Sequence, residues 1–306
     1  MDPAPSRSPD GAAPLACVVL AHTDPVHVRR LVAALDPFPV FLHCDARTPG
    51  DVYDRMTASL PDRVTLLPRR STPWGGWGAV EAELDGYRAA LAATDATHVA
   101  LLSGSDYPLM ASAAIAGTLA GLPGRSIAWS RPMPVPEWGL GGGLGRLRYR
   151  FAPWRKRTLV LPLPRRLPRG VVPAGGSQSK VLARSHAAAV LRVLDGRPDL
   201  VRRWRRTWIP DETFVYSVLH TPALVPGWER ERIRAGAWVI HWAERGPAKS
   251  PAWLTVDDLD MLRRVCADPP DGAAKFFARK FGTAVDTAVL DEIDASFRGA
   301  RTPAPE

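Results

Sequence analysis

The sequence predicts an α/β fold with a mostly parallel sheet flanked by helices. Short continuous apolar runs, such as residues 15–21, are typical of strands that are buried on both faces. Segments with helical periodicity follow these runs, and the first places Val28, Leu31, Val32 and Leu35 on one face. Strands and helices that alternate at this spacing indicate βαβ units. The length of 306 residues and the apolar content of 46% suit one large domain.

The predicted elements alternate in the first third of the chain and return after a long irregular region. After the strand at 15–21, we predict a helix from Pro25, a strand at 40–43, a helix at 52–60, a strand at 64–67, a helix at 80–92 and a strand at 98–103. Further along, we predict strands at 178–182 and 238–242 and helices at 186–194, 200–204, 212–220, 256–265, 274–280 and 288–297.

The remaining segments are predicted to be irregular. Between residues 127 and 176, glycines, prolines and arginines mark long loops, and loops of this length inside a domain are usually functional or mobile. Residues 1–14 are rich in Pro, Ala and Ser and have no apolar core, so we expect a disordered lead-in and no signal peptide. We expect residues 15–298 to form the domain and residues 299–306 to be a disordered tail.

The cysteines and the hydropathy indicate a cytoplasmic protein. Cys17, Cys44 and Cys266 form neither a disulfide framework nor a CxxC metal pair, which suits a reducing compartment. No stretch approaches the ~20 apolar residues of a membrane span. A peripheral position at the inner face of the membrane, held by basic loops, stays open.

The net charge of +9 and the pI of about 10 favour polyanionic partners. Such partners include nucleic acid, anionic lipid and phosphorylated small molecules. Most of the excess charge falls at residues 146–169 and 197–206. Neither stretch carries an RNP sequence, a zinc finger or a helix-turn-helix, so a solvated basic surface is their ordinary interpretation.

Polar residues follow the predicted strands at the edge where parallel sheets bind their ligands. His22, Asp45 and the loop at 103–108 come directly after strands, so we expect them along one edge of the sheet. The first turn has no GxGxxG, and the chain has no GxxxxGK[ST]. Dinucleotide-binding and P-loop domains are therefore poorly supported.

The stretch from Trp208 to Tyr216 offers a candidate base. Pro210 suits the first position of a helix, and the acids that follow it complement the helix dipole. The same acids allow a functional interpretation. A Glu212 carboxylate flanked by Trp208, Phe214 and Tyr216 could face an apolar, sugar-sized cleft and act as a general base.

Six short segments occur in an order shared with a known enzyme family. They are 18–25 with 41–45 (VVLAHTDP, FLHCD), 74–77 (WGGW), 101–109 (LLSGSDYPL), 176–178 (GSQ), 208–212 (WIPDE) and 277–281 (FARKF). Together they resemble the core-2/I-branching β-1,6-N-acetylglucosaminyltransferases and their relatives, the peptide O-xylosyltransferases, over roughly residues 15–290. One such segment is a weak signal, but six in sequence are strong.

The resemblance implies a glycosyltransferase A-type, Rossmann-like fold, a nucleotide-sugar donor and inversion at the anomeric carbon. It implies that Glu212 is the catalytic base and that Lys280 holds the donor diphosphate with other basic residues. The residues that it implies for the donor are Lys280, Arg279, His22, Asp45, Ser103 and Asp106. The candidate acceptor contacts are Glu137, Trp138, Trp208 and Trp242.

The physical chemistry of direct displacement agrees with this assignment. One carboxylate must take a proton from the acceptor hydroxyl, and another group must stabilise the departing diphosphate. Most relatives of the fold use a divalent ion held by Asp-x-Asp at a strand end, but the loop at 103–106 holds only Asp106. Asp258 and Asp260 belong to a predicted helix start after Thr255.

Cationic side chains would then have to neutralise the leaving group. Arg279 and Lys280, on the predicted helix at 274–280, are the best candidates, with Arg234, Arg245 and Lys249 as companions. We therefore expect no metal and no resident cofactor, with the UDP-sugar as co-substrate.

The chain departs from the family pattern in ways that leave the substrates open. It lacks the membrane anchor and lumenal cysteines of animal members, and Ser179-Lys180 replaces the usual aromatic residue after Gly176-Ser177-Gln178. N-acetylglucosamine and xylose are the expected donor sugars, while a glycan, a peptide or a small molecule would serve as acceptor. The excess of Arg over Lys, with abundant Ala and Pro, suggests a bacterial source.

Two alternatives remain beside the metal-independent transferase. A metal-dependent glycosyltransferase would use Asp106, and a basic binding protein for nucleic acid or anionic glycan would use the arginines between 146 and 206. The transferase interpretation expects no nucleic-acid partner.

Overall fold

A computed structural model describes residues 13–154, 157–161, 163–167, 169–242 and 250–299 of the chain. Apart from residues 13, 14 and 299, the two predicted disordered ends lie outside the described residues. The domain boundaries therefore stay predictions.

The strands follow the sequence prediction closely in the first third of the chain. They are β1 Leu15–Ala21, β2 Val40–Cys44, β3 Val64–Leu66, β4 His98–Ser103, β5 Asp106–Pro108, β6 Ser126–Ile127, β7 Ser130–Pro132, β8 Arg150–Trp154, β9 Arg157–Leu161, β10 Ala174–Gly176, β11 Lys180–Ala183, β12 Arg232–Ile233, β13 Trp238–Ile240 and β14 Phe277–Arg279.

The α-helices lie mainly where apolar periodicity predicts them. They are α1 Pro25–Ala34, α2 Gly50–Thr57, α3 Gly78–Ala93, α4 Ser112–Ala120, α5 Leu144–Arg148, α6 Arg184–Gly196, α7 Pro198–Trp204, α8 Phe214–Leu219, α9 Trp228–Glu231, α10 Leu259–Ala267 and α11 Ala288–Ile293. Short 3₁₀ turns cover Pro136–Trp138, Leu140–Gly143, Pro210–Glu212 and Val256–Asp258. A π-helical turn at Asp294–Arg298 extends α11.

Seven strands of the described part form one sheet in the order β12-β6-β11-β4-β1-β2-β3. The central strands β4, β1, β2 and β3 are mutually parallel, while β11 runs antiparallel to β4 and β6. The predicted α/β class with a mostly parallel sheet is confirmed. Because Leu20 pairs with both His43 and Ser103, the carboxyl ends of β1, β2 and β4 meet at one edge.

The sheet is buried on both faces, which explains its uninterrupted apolar strands. Cys17 and Val19 of β1 face one apolar cluster, which includes α1 and α11. Val18 of β1 faces the opposite cluster, with α3, α6 and α8. Alternate residues of a strand point to opposite faces, so one seven-residue strand serves both cores.

A fully buried ion pair joins α3 to β11 beneath the same edge. Lys180 Nζ lies 2.8 Å from Glu83 Oε1, and neither side chain is exposed to solvent. Tyr87, one turn further along α3, donates its hydroxyl proton to the same carboxylate oxygen at 2.7 Å.

The prediction of a helix at 274–280 is wrong, because Phe277–Arg279 forms β14. This strand pairs with β5 on one side and with β13 on the other. A strand of three buried residues is too short to show a periodicity, so the prediction rests on local helix propensity. In the folded chain, pairing with the two neighbouring strands overrides that propensity. Arg279 is therefore the last residue of a strand, and Lys280 comes directly after it.

The predicted helix at 212–220 is broken into two pieces. Pro210–Glu212 is a 3₁₀ turn, and α8 begins at Phe214. Between them Thr213 has non-helical backbone angles and accepts a hydrogen bond from Trp204 Nε1 at 3.2 Å. The region from 127 to 176 is irregular as predicted, although it contains short strands and α5.

Candidate functional site

The Glu212 carboxylate stands at the end of the 3₁₀ turn and faces an arginine. Arg146 Nη1 lies 2.5 Å from Glu212 Oε2, and the glutamate side chain keeps 32% of its surface exposed. Among the described residues, Glu212 Oε1 has no hydrogen-bond partner. One oxygen is therefore held by a cation while the other is left for a ligand.

Aromatic rings lie around Arg146, the cation of this pair. The Arg146 guanidinium carbon lies 3.9 Å from the centroid of the Trp138 ring and 5.9 Å from that of Trp208. Phe151 stacks on Trp208 with 5.7 Å between the ring centroids, and the exposed Trp74 meets Trp208 edge-on at 6.0 Å. Sugar faces pack on aromatic rings of this kind, so the arrangement suits a glycan or sugar acceptor.

Gly75 lies against the Trp208 ring and supports the backbone next to it. Gly75 has φ +70°, and a Cβ atom there would lie 3.1 Å from the Trp208 indole. Its carbonyl oxygen accepts a hydrogen bond from Ile209 N at 3.0 Å. Ile209 itself has φ 50°, which is rare and costly for a β-branched residue. A glycine at 75 is thus required both by its φ and by the close indole.

Asp211 lies beside the base in a different environment. Its Oδ1 is buried and has no hydrogen-bond partner in the part of the chain that the structure describes. Burial, together with the negative charge of Glu212, raises the pKa of the Asp211 carboxyl to about 7. The turn therefore places a carboxyl group that keeps its proton up to neutral pH next to the exposed carboxylate.

This raised pKa predicts a stability that falls as the pH rises. The folded protein keeps a proton on Asp211 that the unfolded chain loses, so stability decreases between the unfolded pKa of 3.8 and about 7. We expect Asp211→Asn to reduce the stability difference between about pH 5 and about pH 8 by on the order of 1–3 kcal/mol. Urea unfolding at both pH values measures it, and an unchanged difference in the variant would contradict the assignment.

Lys280 stands on the other side of the site, directly after β14. Its Nζ lies 4.0 Å from the centroid of the Trp253 ring. Burial and the neighbouring charge of Arg279 lower the pKa of Lys280. Thr283 nearby donates through its backbone N and its hydroxyl to Asp24, at 2.7 Å each. The segment after Lys280 is thus fixed to the loop that follows β1.

Asp106 is enclosed by donors and has no exposed side-chain surface. It accepts hydrogen bonds from Ser103 N at 3.0 Å, from the Ser103 hydroxyl and from Trp238 Nε1 at 2.9 Å. Arg279 Nε lies 3.6 Å from its Oδ1. Asp106 therefore fixes the turn between β4 and β5 by hydrogen bonds and places a negative charge behind Arg279, whose Nε forms no hydrogen bond in the described part.

His22 and Asp45 come together as the sheet topology predicts, and Lys280 lies close enough for its charge to act on His22. Arg47 and Thr72 bind Asp45 Oδ2 at 2.7 and 2.6 Å. Burial opposes ionisation of Asp45, but these hydrogen bonds outweigh it and hold its pKa well below the usual range. Desolvation lowers the pKa of His22. The positive charges of Lys280 and Arg47 lower it as well, while the negative charge of Asp45 opposes them.

The other predicted site residues form no hydrogen bond or ion pair with Glu212, Asp45 or Asp106 in the described part of the chain. Glu137 pairs with Arg131 at 3.3 Å, one residue before Trp138. Trp242 is exposed beyond the end of β13, the strand that pairs with β14, so it lies on the side of Arg279 rather than with Trp138 and Trp208. Arg234 pairs with Glu229 at 3.2 Å. The proposed companions Arg245 and Lys249 lie outside the described residues.

Three functional candidates were missed in the sequence. Arg146 lies in a run of arginines, and no local signal distinguishes it from Arg148 or Arg150. Arg47 follows Asp45 by two residues, and that short spacing could have suggested the ion pair. Trp253 is brought to Lys280 only by the tertiary fold.

Two further observations concern what the described residues contain. No three His, Cys, Asp or Glu side chains among them are grouped so that they could hold a metal ion. No helix in the described ranges has the length and apolarity that crossing a membrane requires.

Comparison with known families gives a match over most of the chain. The family model described as Core-2/I-Branching enzyme matches residues 30–263. The match includes Asp45, Asp106, Arg146 and Glu212 and ends before Lys280. No curated protein matches the sequence.

Solved structures give weaker similarities. A Bacillus anthracis protein assigned as a glucose-1-phosphate thymidylyltransferase, in complex with a sucrose, has a TM-score of 0.31 and 6% identity, with 57% of this chain and 74% of that chain covered. HddC from Yersinia pseudotuberculosis has a TM-score of 0.28 and 9% identity, with coverages of 56% and 78%.

Proposed function

The chain belongs to the Core-2/I-branching enzyme family, a family of glycosyltransferases, and on that premise we propose an inverting transfer from a UDP-sugar without a metal ion. Family membership makes a nucleotide sugar the donor. The observation that carries the proposal is the partly exposed Glu212 carboxylate, paired with Arg146, whose guanidinium lies against the rings of Trp138 and Trp208. N-acetylglucosamine or xylose is the proposed sugar, and a glycan, a peptide or a small molecule is the proposed acceptor.

The acceptor half of the mechanism uses Glu212 as general base. In the proposed step, Glu212 Oε1 takes the proton of the acceptor hydroxyl while the acceptor oxygen forms a bond to C1 of the sugar. Arg146 holds the other carboxylate oxygen, so it fixes the orientation of the base. Trp138 and Trp208 would pack on the acceptor and exclude water from the reacting oxygen.

The donor half uses fixed cations. As the bond between C1 and the diphosphate oxygen breaks, negative charge develops on the diphosphate, and Lys280 with Arg279 would neutralise it. Arg279 Nε lies 3.6 Å from the buried Asp106 carboxylate, and Lys280 lies against Trp253. A metal-dependent transfer through Asp106 is less well supported, because donors surround both oxygens of this unexposed carboxylate.

We expect Lys280→Ala to weaken the binding of UDP about 10- to 100-fold, because it removes a charged contact to the diphosphate. Isothermal titration calorimetry measures the dissociation constant. Arg264→Ala, at an exposed arginine of α10, is the matched control and should leave it unchanged. An unaltered affinity in Lys280→Ala would remove Lys280 from the donor site.

The metal-free chemistry has its own test. We expect transfer to continue in EDTA, and a loss of activity that manganese restores would contradict the proposal in favour of the metal-dependent alternative. A binding protein without catalysis would instead show steeply salt-dependent polyanion binding and no stabilisation by UDP.

A further inference from the structure

The stretch from residue 139 to residue 170 has a net charge as large as that of the whole protein. Residues 139–170 include eight arginines, one lysine and no acid, which gives +9, and the net charge of the chain is +9. Within this stretch, β8 and β9 form a two-stranded antiparallel ribbon (Arg150–Leu161) that pairs with no other strand in the described part. Two strands alone have no core of their own.

The apolar side chains after the turn of the ribbon are exposed. Leu159, Val160 and Leu161 keep 43%, 53% and 44% of their surface in contact with solvent, and Leu163 keeps 63%. Adjacent residues of a strand point to opposite faces, so this exposure is not the outer side of a half-buried strand. Leu159 and Leu161 share one face of the ribbon, and an exposed apolar face of this kind marks an interaction site.

The root of the ribbon is fixed to the acceptor side of the site. Phe151 stacks on Trp208, and its backbone N donates to Arg206 O at 3.0 Å. The guanidinium of Arg165 donates to the carbonyl oxygens of Tyr149 at 2.8 Å and Arg203 at 2.9 Å. The ribbon is therefore anchored at its base while its leucines remain outside.

Arginines accompany the exposed leucines. Arg148, Arg150, Arg166 and Arg169 are exposed, and none of the four forms an ion pair with an acid among the described residues. The pairing of β8 with β9 places Arg150 directly opposite Leu161. Cationic and apolar side chains thus share one face.

We propose that the β8–β9 ribbon and the segment that follows it to Arg169 dock on an anionic lipid bilayer. Leu159, Leu161 and Leu163 enter the boundary between headgroups and acyl chains, and the arginines bind lipid phosphates. A bilayer is favoured over nucleic acid because aliphatic side chains gain free energy on leaving water but offer no ring on which bases stack.

This inference goes beyond the proposed function and does not depend on it. Taken with that function, it selects an acceptor class. Because the ribbon is rooted on Trp208, a docked enzyme presents Glu212 close to the membrane surface, where a lipid-linked acceptor would be held.

Vesicle sedimentation with the full chain tests the proposal. We expect binding to vesicles of equimolar phosphatidylglycerol and phosphatidylcholine that weakens with salt, and little binding to pure phosphatidylcholine. Leu159→Ser with Leu161→Ser should weaken the binding about tenfold or more. Arg148→Gln with Arg166→Gln should weaken it about fivefold for each arginine.

Matched variants elsewhere provide the control. Val285→Ser and Arg264→Gln change an exposed valine and an exposed arginine outside the ribbon, and they should bind the vesicles like the unaltered protein. Equal binding by the ribbon variants and these controls would overturn the proposal, as would tighter binding of an RNA or DNA oligomer at the same salt. Glu212→Gln should keep full vesicle binding, so a failure of the proposed chemistry is distinguishable from a failure of docking.

Discussion

Glu212→Gln should lower kcat by about 10²–10⁴ while the dissociation constant for UDP stays unchanged. The amide has the shape of the carboxylate and can still accept the hydrogen bond from Arg146, but it cannot take the proton of the acceptor hydroxyl. The donor residues Lys280 and Arg279 are not altered. Steady-state kinetics with a transferable acceptor and calorimetry with UDP measure the two quantities separately.

The matched control is Glu292→Gln, at an exposed glutamate of α11. It should leave both kcat and the affinity for UDP as they are. A Glu212→Gln enzyme with a near-normal rate would refute the base assignment. A loss of UDP binding in the same variant would instead indicate that the turn at 210–212 supports the donor side.

Lys180→Met should destabilise the fold by about 3–5 kcal/mol, which is the largest stability effect that we expect. The ammonium of Lys180 is the cation that accompanies the buried Glu83 carboxylate at 2.8 Å. Removing it leaves an uncompensated charge between α3 and β11. The free energy of unfolding, measured by urea denaturation, should fall accordingly.

Two further variants separate the cost of the lone charge from that of lost packing. Combining Lys180→Met with Glu83→Gln removes both charges and should restore most of the stability. Arg55→Met breaks an exposed pair with Asp51 and should cost less than about 1 kcal/mol. If Lys180→Met costs no more than Arg55→Met, the buried Glu83 carboxylate does not depend on Lys180 to compensate its charge.

The sequence predicts the sheet well because burial on both faces leaves a signal in every residue of a strand. The run at 15–21 is apolar throughout and the run at 98–103 is apolar from Val99 to Leu102, and both become strands with the predicted bounds. Those bounds also locate His22, Asp45 and Ser103, since each residue follows or ends a strand. The meeting of these three residues at one edge could therefore be predicted from topology alone, whereas the placement of Arg279 and Lys280 could not.

Long-range pairing left no such signal. The strand at Phe277–Arg279 is fixed by β5 and β13, which are distant in sequence, so its local composition suggested a helix. Arg146 reaches Glu212 only through the folding of a glycine-rich stretch. Glu83 did leave a signal, because it lies between Val80 and Tyr87 on the apolar side of α3, where a charge requires a partner.

The short segment from Thr72 to Gly75 links the two halves of the site. Thr72 binds Asp45 on the proposed donor side, and three residues later the Gly75 carbonyl holds Ile209, close to the proposed base Glu212. Because the two contacts are only three residues apart, a shift of Thr72 also shifts Gly75. We therefore expect the binding of the donor and that of the acceptor, at the sides proposed for them, to be coupled through this segment.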